Sequence, residues 1–304
     1  MNLFAASING WASWAQVFQS INAFEPLIKY IFKCHDLPWS EIEHCIPGTN
    51  AVFKVGGLVV KIFAPNKSGL DTDSDYKTEL FGLERANRLG ISAPQLVASG
   101  KVEDKYLFPY LVMEYISGGS LGQLEGKLTD SEKRDYAKQL REITDTMNTP
   151  CERFNDIDIL TRALECRRWS KFPASIQHER KEYLMEYQIT TQVYVHGDLT
   201  CDNILLDPSG TLYIVDFADA ALAPAEYELA PLMFELFRFE KPYLDGYFGK
   251  YSPAEIAEIC FDALLMHDFG ADMIERQLGN IDQITNLAVL KDRLFAAIKN
   301  HRRW

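Results

Sequence analysis

The chain has 304 residues, of which 47% are hydrophobic and 24% charged, and this ordinary globular composition excludes a disordered or fibrous protein. Its net charge of −12 at pH 7 argues against nucleic acids and anionic membranes as partners. No apolar run is long enough for a membrane helix, and no basic segment precedes an apolar one near the start. We therefore expect a cytoplasmic protein large enough for two lobes.

Residues 1–36 carry apolar side chains three and four positions apart, a pattern that predicts one or two amphipathic helices. We expect this helical extension to pack against the lobe that follows it. A helix lying on a membrane surface is the alternative, but such a helix needs a basic polar face, which this segment lacks.

Residues 41–63 change to a pattern typical of β-strands, with a turn at Gly56-Gly57. The loop before the second strand combines a glycine with small polar residues. Such a loop leaves backbone N–H groups available to phosphate oxygens. We therefore predict a phosphate-binding loop at Gly48, Thr49 and Asn50.

Lys61 lies within the apolar run 58–63 at the end of this strand pair. An ammonium group among apolar side chains needs an anionic partner, because burying it alone is costly. The phosphates of ATP would provide that partner. The alternative is a lysine on an edge strand that points to solvent.

The next predicted element is a helix over residues 75–89, which carries Glu79 and Glu84. Predicted strands over 95–102 and 106–115 follow it. Together with the earlier strands they would complete a five-stranded antiparallel sheet.

Between Leu111 and Ser120 an apolar strand changes into a glycine-rich connector, which marks the boundary between two lobes. The chain beyond it has mainly helical patterns. Capping boxes at Thr129 and Ser252 predict the starts of two helices. We expect these helices to end near Met147 and Phe269.

The stretch 193–216 places a histidine, two aspartates and an asparagine between short aliphatic runs, in the order H-G-D-x-x-x-x-N and then D-F. Phosphoryl transfer needs a group that takes the proton of the acceptor hydroxyl, and Asp198 suits this role. It also needs magnesium, which prefers carboxylate and amide oxygens; Asn203 and Asp216 would supply them. A hairpin with its turn at 207–210 would bring the three side chains to its open end.

The segments HGDLTCDNILL and IVDFADA resemble the catalytic and metal-binding segments of the aminoglycoside phosphotransferase-like kinases. This family of small-molecule kinases shares a protein-kinase-like fold and includes choline, homoserine and fructosamine kinases. The resemblance implies that Asp198 is the catalytic base and that Asn203 and Asp216 are the magnesium ligands.

Two departures from protein kinases favour the small-molecule branch. Gly197 stands where protein kinases carry the arginine of their His-Arg-Asp motif, and Asp-Phe-Ala replaces Asp-Phe-Gly at 216–218. A kinase controlled by a phosphorylated loop is therefore not expected. We place His196 with the catalytic residues, as the group that positions the loop through hydrogen bonds.

In the resembling family a helix glutamate pairs with the strand lysine, which orients the α- and β-phosphates. The resemblance thus assigns phosphate binding to Lys61, with Glu79 preferred as its partner over Glu84, which stays open. It also implies a hinge that binds the adenine through the backbone of Glu114 and Ile116, with Met113 lining the base pocket. The expected cofactors are ATP, with GTP left open, and Mg²⁺.

Acidic residues after Asp216 are the candidates to bind a cationic acceptor, and they are Glu226, Glu228, Glu235, Asp262 and Asp268. Each could instead be a solvated or capping carboxylate, since most Asp and Glu residues lie at the surface. Glu228 also matches a place where the family carries an acidic structural residue.

We therefore expect an α+β, protein-kinase-like enzyme with a helical extension at 1–36, a nucleotide-binding lobe at 37–116 and a helical lobe with the acceptor site at 117–304. It would transfer the γ-phosphate of ATP to a hydroxyl of a small molecule, first of all an aminoglycoside-like amino sugar. A metabolic kinase for choline, homoserine or a related sugar is one alternative. A nucleotide-binding regulator without catalysis is the other, and the oligomeric state stays open.

Overall fold

The computed structural model of the chain describes residues 2–46 and 48–300. Its contacts divide the chain into two compact units. The first runs through Ser117 and also includes Asp216–Ala218, whereas the second comprises Gly118–Val215 and resumes at Asp219. Among the helices of these described residues, none is both long and apolar enough to cross a membrane.

The first unit contains a five-stranded antiparallel sheet, which confirms the prediction. Its strands are Ile42–His44 (β1), Ala51–Val55 (β2), Leu58–Ile62 (β3), Leu96–Glu103 (β4) and Leu107–Glu114 (β5). The strand order is β1-β2-β3-β5-β4, so β3 lies in the middle of the sheet. An edge-strand position for Lys61, the alternative left open by the sequence, is therefore wrong.

Three helices accompany this sheet, Trp11–Ala15 (α1), Ile21–Cys34 (α2) and Thr72–Leu89 (α3). Ser20 caps α2 because its side chain accepts the N–H of Ala23. Helix α3 starts three residues earlier than expected and ends at Gly90, whose φ of 70° lies in the left-handed region that favours glycine.

The N-terminal segment packs on the sheet through aromatic side chains. Phe24 of α2 is fully buried, and its ring centroid lies 5.6 Å from that of Phe53 in β2. The indole Nε1 of Trp14 donates to the carbonyl oxygen of Thr49 at 2.9 Å. This segment therefore belongs to the core of the first unit and also holds the loop before β2.

The second unit is mainly helical. Its longer helices are Asp130–Met147 (α4), Ile159–Glu165 (α5), Ala174–Glu186 (α6), Lys241–Phe248 (α8), Pro253–Met266 (α9), Gly270–Gln277 (α10) and Leu287–Asn300 (α11). The short segment Leu229–Pro231 (α7) follows a 3₁₀ turn at Ala225–Glu228 and continues into a π-helix at Leu232–Phe237. Both predicted capping boxes are present, at the starts of α4 and α9.

Short strands carry the predicted catalytic stretch or pair with it. They are Gly119–Ser120 (β6), Val193–Val195 (β7), Ile204–Leu206 (β8), Leu212–Ile214 (β9) and Ala221–Ala223 (β10). Strands β8 and β9 form the predicted hairpin, and β7 pairs with β10 in a separate antiparallel ribbon. The prediction that α9 reaches Phe269 is wrong, because the chain becomes extended at His267, with ψ of 137°.

Replacing Phe24 by alanine should lower the free energy of unfolding by about 3–5 kcal/mol, because it leaves a cavity between α2 and the sheet. The matched change on the same helix is Lys29→Ala. Lys29 is exposed and forms an ion pair with Glu25, so its loss should cost less than about 1 kcal/mol. Urea unfolding followed by tryptophan fluorescence compares the two, and equal losses would contradict the role of Phe24.

Candidate active site

Lys61 lies on the central strand β3, opposite Val52 of β2 and Leu111 of β5. Its ammonium donates to Oε2 of Glu79 at 2.5 Å and to Oδ1 of Asp216 at 2.8 Å. The sequence left open whether Glu79 or Glu84 pairs with Lys61, and in the structure the partner is Glu79. Glu84 is exposed on the same helix.

The three charged side chains, Lys61, Glu79 and Asp216, differ in their exposure to solvent. Lys61 is 7% exposed and Glu79 is 2% exposed, whereas the Asp216 side chain is 48% exposed. Burial by itself would lower the pKa of the Lys61 ammonium, but the carboxylates of Asp216 and Glu79 outweigh burial and raise that pKa above its ordinary value. The lysine is therefore charged, and its charge lies close to a surface that a ligand can reach.

Asp216 has an unusual backbone conformation, with φ of 65°. A left-handed conformation is uncommon for residues other than glycine and costs of order 1 kcal/mol. It is found here at the residue that joins the end of the hairpin to the buried lysine. Strained backbone of this kind clusters at functional sites.

The predicted phosphate loop and hinge belong to the same unit as Lys61. In the loop, Gly48 and Thr49 are exposed, while Asn50 is buried and its Oδ1 accepts the N–H of Ala64 at 3.2 Å. Among the predicted hinge residues, Met113 and Ile116 are buried and Glu114 is exposed. The side chain of Asn50 thus holds the loop.

The turn predicted to be catalytic, called the catalytic turn below, consists of His196, Gly197 and Asp198 and directly follows β7 in the second unit. Glu228 lies beneath it, fully buried, and its two carboxylate oxygens accept the N–H groups of His196 at 2.6 Å and Gly197 at 3.0 Å. This geometry favours the architectural role for Glu228 over acceptor binding. A carboxylate that accepts two backbone N–H bonds fixes the course of the chain at this point.

Gly197 cannot carry a side chain in this turn. Its φ is 80°, and an added Cβ would lie 2.5 Å from the carbonyl oxygen of Asp219. The arginine that protein kinases have at this position would therefore clash with backbone.

Hydrogen bonds at both ring nitrogens determine the tautomer of His196. Nε2 donates to the carbonyl oxygen of Val215 at 3.1 Å, and Nδ1 accepts the N–H of Asp198 at 3.3 Å. Only the neutral Nε2–H tautomer satisfies both contacts. Both ring nitrogens of His196 therefore bond to backbone groups at or beside the turn, and its role in positioning the turn stays a prediction.

Asn203 is linked directly to Asp198. Its Nδ2 donates to the Asp198 carbonyl oxygen at 2.9 Å and to Oδ2 of the Asp198 carboxylate at 2.7 Å. The amide oxygen of Asn203 is consequently the atom that can ligate a cation.

A further buried residue near the turn was missed by sequence reasoning. Nε2 of His267 donates to the carbonyl oxygen of Gly197 at 2.9 Å. The helix predicted to end near Phe269 would include His267, whereas α9 ends at Met266. The signal that could have located the end of the helix is Gly270, because glycine often follows a helix, with Asp268 as a second turn-forming residue.

Two of the five acidic acceptor candidates form ion pairs within the second unit. Glu235 pairs with Arg276, and the Asp268 carboxylate lies 2.9 Å from Nε of Arg162. Their charges are therefore already balanced by arginines of this chain.

The structure brings the other two candidates, Glu226 and Asp262, to the wall of one cavity of about 330 Å³. Asp262 accepts the hydroxyl of Tyr183 at 2.5 Å, and burial raises the pKa of its carboxyl above the ordinary value. The cavity touches Val193, at the start of β7, whereas the catalytic turn follows the end of that strand. The distance from Val193 to His196 along the strand is about 10 Å.

The first unit thus has a sheet with a buried lysine–glutamate pair, and the second unit is helical and carries the predicted catalytic turn. The family model described as a phosphotransferase enzyme family, APH, matches residues 48–260, more than two thirds of the chain. The chain therefore belongs to this family of phosphotransferases. No curated protein sequence matches the chain significantly.

Solved structures of aminoglycoside phosphotransferases share the fold. The GDP complex of wild-type aminoglycoside 2'-phosphotransferase-IIIa is 19% identical, covers 93% of this chain and 100% of that one, and has a TM-score of 0.58. An ADP and hygromycin B complex of a thermostable mutant of APH(4)-Ia is 16% identical, with coverages of 89% and 97% and a TM-score of 0.56. The GDP and kanamycin complex of APH(2")-IIIa is 18% identical, with coverages of 91% and 99% and a TM-score of 0.55. These likenesses confirm the α+β, protein-kinase-like fold.

Burial raises the pKa of the Glu228 carboxyl to about 7 from an ordinary 4.5, although its bonds from His196 and Gly197 oppose the shift. Between these values the native carboxyl keeps a proton that the unfolded chain has released. Glu228 should therefore make the free energy of unfolding fall as pH rises from about 5 to 7, by up to about 1.4 kcal/mol per pH unit. Glu228→Gln should remove this part of the slope.

The free energy of unfolding is measured by urea unfolding at several pH values across that range. The slope of this free energy against pH is then compared between the proteins. Glu226→Gln is the control, because Glu226 is exposed two residues away and its replacement should leave the native slope unchanged. If the unfolding free energy of Glu228→Gln changes with pH as steeply as that of the native protein, the buried carboxyl does not titrate as described.

Proposed function

We propose that the protein transfers the γ-phosphoryl group of ATP to a hydroxyl group of a small molecule. The observation that carries this proposal is the contact of Lys61 with both Glu79 and Asp216. A lysine ammonium has three N–H donors, so a phosphate oxygen can bind beside the two carboxylates. Lys61 would orient the α- and β-phosphates in this way, and Glu79 would hold its side chain.

Asp198 would accept the proton of the attacking hydroxyl. Its bond from Nδ2 of Asn203 orients the carboxylate, and a carboxylate can accept further hydrogen bonds, including one from a substrate. His196, as the neutral tautomer, would keep the turn in place through its two hydrogen bonds. Phosphoryl transfer depends mainly on such positioning and on the balance of charge.

The chemistry of Asn203 and Asp216 fits magnesium. The residues that the structure describes contain no group of three or more His, Cys, Asp or Glu side chains able to hold a metal by themselves. Magnesium commonly binds through one or two protein oxygens together with phosphates, so an amide oxygen and a half-exposed carboxylate are each suitable ligands. When bound there, it would offset the negative charge of the triphosphate.

The hinge would bind the adenine of ATP, with Met113 against the base. The N–H of Glu114 donates to the carbonyl oxygen of Gln95 at 2.9 Å, so the adenine amino group would meet the Glu114 carbonyl. Ile116 would offer its N–H to a ring nitrogen. Similar structures contain GDP, ADP or AMP-PNP, and GTP therefore stays open beside ATP.

An aminoglycoside-like amino sugar is our first candidate for the acceptor. Similar structures contain hygromycin B or kanamycin. The net charge of −12 and the carboxylates of Glu226 and Asp262 suit a cationic molecule.

A metabolic kinase for choline, homoserine or a related sugar is the second candidate. The observation in its favour is that three acidic candidates are already engaged, Glu235 and Asp268 with arginines and Glu228 with backbone N–H groups. A polycationic acceptor would then meet fewer carboxylates than the sequence suggests.

A panel of acceptors in an ADP-release assay separates these candidates. We expect ADP release to rise with an amino sugar such as kanamycin or hygromycin B, and to stay at the level of the acceptor-less control with choline, homoserine and neutral sugars. A response limited to the second group would replace the first candidate by the second. Nucleotide binding without transfer to any acceptor would favour a regulator that lacks catalysis.

Asp198→Ala should lower turnover by roughly 10²–10⁴-fold, because the hydroxyl proton loses its acceptor, while nucleotide affinity changes little. Asp202→Asn is the matched control, since Asp202 lies in the same loop with an exposed side chain. Turnover and nucleotide affinity are measured separately for both variants. Turnover close to that of the native protein in Asp198→Ala would refute the base assignment.

A further inference from the structure

Besides the bond from Asn203, one peptide group fixes the position of Asp198, namely the planar group that joins Gly197 to Asp198. Its carbonyl oxygen accepts Nε2–H of His267 at 2.9 Å, and its N–H donates to Nδ1 of His196 at 3.3 Å. Because a peptide group is rigid, a hydrogen bond at each end prevents it from rotating about the chain. The Cα of Asp198 is therefore located by two histidines.

His267 is itself held in a single orientation. It is buried, and its Nδ1 accepts the N–H of Phe269 at 3.1 Å, which leaves Nε2 as the protonated nitrogen. Its ring stacks on Tyr227 with centroids 4.8 Å apart and an interplanar angle of 29°. Burial lowers the pKa of His267 to about 4, so the ring is neutral over the working range of pH.

The surrounding contacts connect this histidine to the support beneath the turn. Tyr227 precedes Glu228, the residue that accepts the N–H groups of His196 and Gly197. Nη2 of Arg162 donates to the Tyr227 hydroxyl at 2.8 Å. Glu228 thus binds the donors of the turn, and His267 binds the carbonyl that Glu228 cannot bind.

We propose that His267 is a positioning residue for phosphoryl transfer, which aims the Asp198 carboxylate by fixing the Gly197–Asp198 peptide group. This role rests on the proposed function of Asp198 as the base. His267 acts only through that peptide and does not contact the substrate. Displacing a reacting group by about 1 Å can cost roughly 100-fold in rate, so loss of this one bond should lower turnover strongly.

Two substitutions separate the hydrogen bond from the packing of the ring. His267→Gln places an amide N–H close to the position of Nε2 and can still donate to Gly197. His267→Asn places its amide near Nδ1, so it can meet the N–H of Phe269 but does not reach Gly197. Both variants lose the stacking on Tyr227, and both should lower the melting temperature to a similar extent.

We expect kcat to fall roughly 100-fold in His267→Asn and only a few-fold in His267→Gln, with KM for ATP and acceptor unchanged in both. All assays are run below the lower of the two melting temperatures. Equal kcat in the two variants, or a loss that appears in KM, would overturn the proposal.

Amide hydrogen exchange provides a second readout that does not need activity. The segment 196–199 should exchange faster in His267→Asn than in His267→Gln and the native protein. If the native protein transfers no phosphate to any acceptor while this difference is present, the proposed function fails and the role of His267 in holding the turn stands. Equal exchange in all three proteins would overturn that role, whatever the activity.

Discussion

The first unit depends on the need to satisfy the charge of one lysine in the middle of a sheet. Burying an ammonium ion without a partner costs several kcal/mol, so β3 can carry Lys61 only because two carboxylates meet it. Glu79 comes from helix α3, and Asp216 lies 155 residues after Lys61 in the chain. In keeping with this contact, Asp216–Ala218 belongs to the first unit, although its neighbours on both sides belong to the second.

In the second unit, buried backbone groups likewise need partners. Buried N–H and C=O groups need partners, and the turn before the proposed base has them from three side chains. Glu228 accepts two N–H groups, His196 accepts a third, and His267 donates to the carbonyl of Gly197. The absence of a side chain at Gly197 allows the close approach to Asp219. These bonds together fix the backbone of the turn.

Comparison with the sequence predictions shows where local patterns stop being informative. The capping boxes, the hairpin and the strand pattern of the sheet all act between neighbouring residues, and the structure contains them where they were predicted. Glu228 was counted among acceptor candidates because its acidic type is visible in the sequence while its burial is not. His267 was missed because the apolar pattern of α9 runs past the residue at which the helix ends.

The sequence by itself determined the family, the antiparallel sheet and the residue types of the catalytic stretch, because strand alternation, capping and motif spacing are written in contiguous residues. Only the tertiary structure decided that Glu79 and not Glu84 meets Lys61, and that three of the acidic candidates are engaged by groups of this chain. It also revealed the hydrogen bond from His267 to a residue 70 positions away. The physical reason is that burial, ion pairing and the partner of a backbone carbonyl depend on segments distant in sequence, whose approach no local pattern records.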